Sequence, residues 1–460
     1  MDKVGILIVS KCLSSSAIID TFSRSERYAP EFYVVERQAN PSNFLSATDH
    51  KVVPDLAVHE VAKFAAKHKT RLAFGLTDTE DFVTAGGRDI VERETGVPFV
   101  CVTKEFAVEA SKADQRLLFE RICPEANPRN KVFDPREYGD EARAVADFSR
   151  LLGEIEGGVA IKPDAPARGA GVGVSGSDFF TQEEAVAFFR NVYSKGRVVV
   201  EERIEGEESS FHAFSDGKHF VPAPLTRDYK RALDGNEGKL TGGMGSYRSR
   251  GDSLPFLPPS EWERVVRLEE AAFRRWKGKG SNPGLRGIVL YDALMHTKGG
   301  FKILERNSRG GNTEQICFLT TMLDDYVDVC YRMIDGNLKG IRFSNRASVV
   351  TCSVPLGYGT GASSAVDVQV DIRRALSLAK RSDEVRIFPM DLRLEDGKTV
   401  MGSSRSVAVA GIGKTVEDAR AASLRGTRAL VGPFRHRGDV ASPEDIRRSK
   451  AHLRAVRTAQ

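Results

Sequence analysis

The chain has 460 residues, too many for one compact core, and its 41% hydrophobic and 28% charged side chains are ordinary for a globular protein. Its formal net charge of +5 is mildly basic, and with no aromatic interleaving or reader motif it makes no case for a nucleic-acid partner. No apolar run approaches the roughly 20 residues that cross a bilayer, and residues 1–10 read as a strand rather than a secretory signal, so a cytoplasmic protein without a membrane partner is expected.

In chain order, β-rich runs at 4–9, 32–35, 71–75 and 97–102 alternate with helical patterns at 56–68 and 81–95. This rhythm predicts a parallel sheet covered by helices on both faces. Residues 104–121 read as a helix and 157–162 as a strand. Thr181-Gln182-Glu183-Glu184 is a capping box that opens a helix through 191. A strand at 197–201 and a helix at 259–276 precede two strands at 287–296 and 301–307. Beyond about residue 341 come strands at 347–354 and 406–409 and a helix at 415–430. In the tail, 434–460, seven Arg/Lys stand against three Asp/Glu, which reads as a solvated helix or as a contact for an anionic partner. The six cysteines (Cys12, Cys101, Cys123, Cys317, Cys330, Cys352) form no C-x-x-C, so buried thiols are expected and not a zinc site or a disulfide framework.

The densest chemistry lies at Asp292, Glu305, Asn307 and Arg309. Lys298-Gly299-Gly300-Phe301 suits a two-residue hairpin, because a Gly-Gly pair accepts positive φ. In that register Asp292 stands opposite Asn307. Glu305, Asn307 and Arg309 then share its face, since side chains alternate along a strand. Three oxygen ligands and a guanidinium on one surface fit Mg²⁺ shared with nucleotide phosphates. A one-residue bulge would break the register, and a polar surface hairpin is the plain alternative.

A second constellation starts with Lys162 at a strand end and runs through Gly169, Gly171 and Gly173. Glycines let backbone N–H groups approach phosphates, while a lysine brings positive charge. Gly171, Gly173 and Gly176 also match G-x-G-x-x-G, but a dinucleotide loop opens its helix at once and here the helical pattern waits until Thr181. Glutamates crowd the segment 201–208. The glycine-rich stretch 239–245 follows Arg227, Lys230 and Arg231, a setting for phosphate or carboxylate groups.

Together these segments resemble the ATP-grasp superfamily and, within it, the phosphoribosylamine–glycine ligase family of purine synthesis. The resemblance runs from about residue 111 to the C-terminus. Its most specific pieces are Ser111-Lys112-Ala113, the segment 201–210, Thr241-Gly242-Gly243-Met244-Gly245, Glu305-Arg306-Asn307-Ser308-Arg309 and Gly411-Ile412-Gly413-Lys414-Thr415-Val416. It implies an α/β fold: an N-terminal parallel-sheet domain at 1–104, an ATP-grasp domain of two α+β subdomains at 105–340, and a small β-rich C-terminal domain with a basic tail at 341–460. It also implies an ATP-dependent carbon–nitrogen ligase that joins a small carboxylate to an amine through an acyl phosphate, with ATP and Mg²⁺ (or Mn²⁺). Lys112 and Lys162, with Gly169 and Gly171 of the loop, would bind phosphates. The strand end from Glu201 to Ile204 would frame adenine, and Glu208 would hold the ribose. Glu305 and Asn307 would be metal ligands, joined by Asp292 as the extra carboxylate of the wider superfamily. Arg309 and Lys230 would be the catalytic cations beside the reacting carboxyl or phosphoryl group.

The chain departs from the family in its N-terminal half. Ser10-Lys11-Cys12-Leu13-Ser14-Ser15-Ser16 stands where Gly-Gly-Arg-Glu-His normally receives the phosphoribosyl amine, and Gly75-Leu76-Thr77-Asp78-Thr79-Glu80 replaces a Gly-Pro-Glu. Ala170 also stands where a lysine is common. Serines at a strand-to-helix turn still offer backbone N–H groups to a phosphate. The alternatives are a ligase for another carboxylate and amine, a non-catalytic nucleotide-binding paralogue, and an oxidoreductase resting on Gly171–Gly176. The intact acidic and basic set at 305–309 opposes loss of catalysis, and the absence of an N-terminal glycine fingerprint opposes the oxidoreductase. No feature of the sequence sets an oligomeric state.

Overall fold

Strand Asp2–Ser10 lies at the centre of a five-stranded parallel sheet, between Tyr28–Glu36 and Leu72–Thr77, with Ala47–Val52 and Phe99–Val100 at the edges. Its last seven residues are all buried, as a strand covered on both faces requires. The computed structural model describes residues 1–164, 171–361 and 365–458. The edge strand Ala47–Val52 was not expected. Its sequence Ala-Thr-Asp-His-Lys-Val has no apolar run and is partly exposed, so pairing with its neighbour makes it a strand, not propensity. The helix expected at 81–95 is two helices, Glu80–Thr84 and Gly87–Thr95, broken where Gly86 turns left-handed at φ +77°. The helix expected from 104 begins at Lys112 instead, after two single 3₁₀ turns, because Ser111 caps it by accepting from the Asp114 N–H.

Two four-stranded sheets occupy the middle of the chain. The first runs Asn130–Phe133, Val198–Glu202, Val159–Pro163, Gly173–Val174. Helices Glu141–Glu154 and Gln182–Tyr193 cover it through Phe133, Phe148 and Phe189, the last two stacked at 4.4 Å. Thr181 and Glu184 form the reciprocal capping box that the sequence predicts. The second runs Phe220–Pro222, Glu207–Asp216, Arg286–Thr297, Gly300–Asn307. Helix Pro259–Lys277 lies behind it.

The C-terminal sheet runs Arg227–Asp228, Gly245–Arg248, Ala347–Pro355, Val407–Gly413, Val385–Pro389, with Phe434–Arg435 paired to Ala347–Pro355. Its first two strands come from the middle of the sequence. The tail is a sixteen-residue helix, Pro443–Thr458, packed against the protein through Ile446 and Leu453. All six cysteines are free and buried, and among the described residues no helix is long and apolar enough to cross a membrane.

Candidate active site

The hairpin Arg286–Thr297/Gly300–Asn307 corrects the expected register. Thr297 pairs with Gly300, so the turn is Lys298-Gly299, one residue earlier than predicted. A bulge between Ala293 and Leu294 then shifts the ladder again, and Asp292 stands opposite Arg306. Asp292 therefore faces away from Glu305 and Asn307. Both its carboxylate oxygens accept from Arg306, Oδ1 from Nε at 2.8 Å and Oδ2 from Nη2 at 2.5 Å. Arg306 Nη2 also donates to Glu269 at 2.6 Å, and all three side chains are fully buried. Asp292 is the counter-ion of a buried arginine, so of the expected oxygen ligands only Glu305 and Asn307 share a face. Burial and the neighbouring Asp292 hold the Glu269 carboxyl well above its usual range.

On the other face Glu305, Asn307 and Arg309 follow one another. Asn307 Nδ2 donates to Glu305 Oε1 at 3.4 Å, and Arg309 Nη2 donates to Asn307 Oδ1 at the same distance. Arg309 also donates to Glu80 Oε2 at 3.1 Å and lies over the Tyr291 ring. Glu80 entered the expectations only as the end of the altered segment 75–80, with no role, and the buried Glu109 behind it not at all. Glu109 accepts from the Ser308 N–H at 3.1 Å, while burial, opposed by Arg309, pushes its carboxyl up to about 7. Glu80 thus holds Arg309 directly, and Glu109 lies near enough to add its field. The described residues contain no cluster of three His, Cys, Asp or Glu able to hold a metal alone. One carboxylate and one amide suit Mg²⁺, which keeps waters and shares nucleotide phosphates.

The nucleotide candidates join the two central sheets. Lys162 donates to Glu201 at 2.7 Å, and Arg116, from helix Lys112–Ile122, donates to the other Glu201 oxygen at 2.7 Å. Arg116 continues to the Ile303 and Leu304 carbonyls of the second central sheet. Burial lowers the Lys162 ammonium. Burial alone would raise Glu201, but Arg116 and Lys162 outweigh it and hold the carboxyl below its usual range. Its side chain is thus engaged, and the segment through the half-buried Ile204 offers backbone to a base. Lys112 is buried at the helix start, where Asp164 accepts from Ser111 Oγ at 2.9 Å and from the Ala113 N–H at 3.0 Å. Gly171 turns left-handed at φ +76° beside Pro163, and Gly169 lies outside the described residues.

Glu208 and Lys230 form a half-exposed ion pair at 3.1 Å, and Lys230 holds the Glu208 carboxyl below its usual range. Between Lys230 and Glu314 sits Asp228, whose Oδ1 is buried without a partner. Burial and the Glu314 charge push its carboxyl up to about 8. A Cβ on Gly243 would lie 2.7 Å from that oxygen, and Gly243 has φ +104°, so the glycine of the 241–245 loop is required twice over. The sequence singled out this loop and Lys230 but passed over Asp228, because an acid between cations reads as a neutraliser.

The N-terminal turn is saturated by protein. Ser14 donates to Asp78 and accepts from Gln315 Nε2 at 2.5 Å; Ser15 accepts from Asn43, and Ser16 donates to the Pro389 carbonyl at 2.7 Å. Cys12, left-handed at φ +68°, turns its thiol to Glu36. Helix Ser15–Ser23 starts from this turn, so the serines face the C-terminal sheet and the 313–319 region together.

Residues 137–315 match the family described as phosphoribosylglycinamide synthetase, ATP-grasp (A) domain. The chain is 31% identical over 455 residues to the phosphoribosylamine–glycine ligase of Methanocella arvoryzae, covering 98% of this chain and 99% of that one. It is 33% identical over 431 residues to the ligase of the same name from Pyrococcus furiosus, covering 93% and 92%. The crystal structure of phosphoribosylamine–glycine ligase from Thermotoga maritima superimposes with a TM-score of 0.73 at 22% identity, over 95% of this chain and 100% of that one, which is a likeness of fold.

Proposed function

The chain belongs to the phosphoribosylamine–glycine ligase family, and on that premise we propose that it activates the glycine carboxylate with ATP and joins it to 5-phosphoribosylamine. The observation that carries this reading is the line Glu305, Asn307, Arg309, an oxygen pair and a guanidinium at one strand end facing the cleft. The division into 1–104, 105–340 and 341–460, the cytoplasmic setting and the site roles below belong to the same proposal.

ATP lies across Lys112, Lys162 and the strand end at Glu201, with Glu208 on the ribose. Mg²⁺ bound by Glu305 and Asn307 would neutralise the phosphates during transfer. Arg309 and Lys230 hold the glycine carboxylate and the γ-phosphoryl group in line, and no side-chain nucleophile is needed. The carboxylate oxygen attacks the γ-phosphorus, ADP leaves, and glycyl phosphate remains in a cleft lined with cations. The amine nitrogen then attacks the acyl carbon, the C–O bond to phosphate breaks with its electron pair going to phosphate, and the half-buried Asp228 carboxylate accepts the proton from nitrogen. A carboxyl raised to about 8 is matched to that transfer near neutral pH. The amine's phosphate meets backbone N–H groups at the start of helix Ser15–Ser23, since the serine side chains are engaged.

The same saturated turn supports a second reading, a ligase with another amine. Glycine, ATP, Mg²⁺ and freshly made phosphoribosylamine should yield glycinamide ribonucleotide, detected by mass. ADP release only with a different amine would transfer the assignment to that second reading.

A further inference from the structure

The basic tail is outside the chemistry described so far, yet its helix lies directly behind the residues assigned to the nucleotide. Along Pro443–Thr458 the positions 447, 448, 450 and 454 are exposed, while Asp445, Ser449 and Leu453 are buried. The cations are solvated, and the opposite, polar stripe faces the protein at helical spacing.

That stripe meets Glu207, the residue before Glu208. Glu207 Oε2 accepts from Arg227 at 2.6 Å, and the same Arg227 nitrogen donates to Ser449 Oγ at 2.6 Å. Glu207 Oε1 accepts from His452 Nδ1 at 2.7 Å. A second relay starts lower on the helix, where Arg457 donates to Glu261 at 3.0 Å. Glu261 accepts from His296 Nδ1 at 3.1 Å, and Ser209 Oγ donates to His296 Nε2 at 2.8 Å. Burial keeps His296 below its usual value, so the ring is neutral and can accept at Nε2 while donating at Nδ1. Ser209 is the residue after Glu208. A third contact joins Tyr229 to Asp445 at 2.6 Å, and Tyr229 precedes Lys230.

Side chains alternate along strand Glu207–Asp216, so Glu207 and Ser209 point to the helix side and Glu208 to the other. Tyr229, just past strand Arg227–Asp228, meets Asp445 of the helix, and Lys230 after it meets Glu208. We infer that the C-terminal helix is a positioning element of the nucleotide site, setting Glu208 and Lys230 by holding their chain neighbours Glu207, Ser209 and Tyr229. This rests on the reading that Glu208 holds the ATP ribose. The helix touches no reacting atom; it fixes the strand edge from which the Glu208–Lys230 pair projects, and a slack edge blurs that pair's geometry.

The test uses the full chain with Ser449→Ala and His452→Ala combined, which keeps the apolar anchors Ile446 and Leu453. The KM for ATP should rise about tenfold, the effect of losing one to two such hydrogen bonds, with kcat and the glycine KM within about twofold of wild type, because the Tyr229–Asp445 contact beside Lys230 is left in place. The thermal unfolding midpoint should fall by no more than a few degrees, since Glu207 and Arg227 keep each other, and His452→Asn, whose amide nitrogen takes the place of Nδ1 and can donate to Glu207, should bind ATP as wild type does. An unchanged ATP KM would overturn the inference. So would KM values for ATP and glycine that rise together while the unfolding midpoint falls. Calorimetry on Glu208→Ala separates the premise: ATP affinity unaltered there removes the ribose assignment, whereas weakened ATP there and normal ATP in the helix variant removes the helix's role alone.

Discussion

The proposed nucleotide half and the proposed amine half of the site are built on opposite plans. On the nucleotide side the cations are paired to acids: Lys162 and Arg116 to Glu201, Lys230 to Glu208, Arg309 to Glu80. An arriving phosphate competes for donors already aimed into the cleft, and the acids keep those donors in place beforehand. On the amine side the turn 10–16 has spent its side chains on the protein's own carboxylates, amides and carbonyls. On the proposed assignment one half would recognise its ligand by exchanging partners, and the other by a backbone that neighbouring elements hold fixed. Substitutions should separate the two, through charge in the first half and through geometry in the second.

The largest effect tests the charge side. Glu305→Gln keeps the hydrogen bond from Asn307 and removes the negative charge, so Mg²⁺-dependent ADP formation should fall by roughly a thousandfold or more. Unfolding should be unaltered, and near wild-type turnover would remove the metal assignment. Next comes Arg306→Met, which breaks the buried group formed with Asp292 and Glu269 and should cost about 3–5 kcal/mol in urea unfolding. Glu269, already raised by burial and by Asp292, then loses its cation, so its folded-state value lies still further above the unfolded value of about 4.3. The penalty should grow as pH climbs from there and shrink as pH falls. An equal loss at pH 5 and pH 8 would contradict the account of Asp292 as counter-ion.

Asp228→Asn probes the point where the two halves meet. The wild-type kcat/KM for the amine should rise with pH through about 8, because only the deprotonated carboxyl accepts the amine proton. The variant should lose about a hundredfold in rate and lose that limb of the profile, while ADP formation from glycine and ATP stays within a few fold. A surviving limb near 8 would assign the proton to another group.

Sequence reading went furthest where chemistry is local. The alternation of strand and helix in the first hundred residues, the capping box at Thr181 and Glu184, and the placement of Glu305, Asn307 and Arg309 on one face depend on short-range pattern, and the folded chain has them. Asp292 failed because its face depends on where a bulge falls, and a bulge at Ala293 leaves no local signature. Strand Ala47–Val52 was invisible because its only structural reason is the neighbour it pairs with. The roles of Glu80, Glu109 and Arg116 were missed for the same reason. Each becomes meaningful only through a partner distant in sequence, as when Arg309 meets Glu80 across 229 positions. The basic tail is the helix with solvated cations that the sequence suggests, while the contacts made by its other face, through Ser449, His452 and Arg457, depend on partners distant in sequence.

The smallest catalytic effect is expected at Ser14, and it separates two ways in which the altered turn could work. If the hydroxyl itself held the amine's phosphate, Ser14→Ala would raise the amine KM by more than tenfold and leave stability nearly untouched. The geometry argues the reverse. Ser14 Oγ already donates to Asp78 and accepts from Gln315, all three side chains are buried, and removing the hydroxyl leaves both neighbours short of a partner. That should cost about 1–3 kcal/mol in unfolding free energy, the usual penalty for orphaned buried polar groups. The backbone N–H groups at the helix start survive the substitution, so the amine KM should stay within about threefold of wild type. Urea unfolding and steady-state kinetics on the same preparation give both quantities. A stable variant with a greatly raised amine KM would mean that the serine side chain exchanges partners as the lysines opposite do, and the contrast between the two halves would disappear.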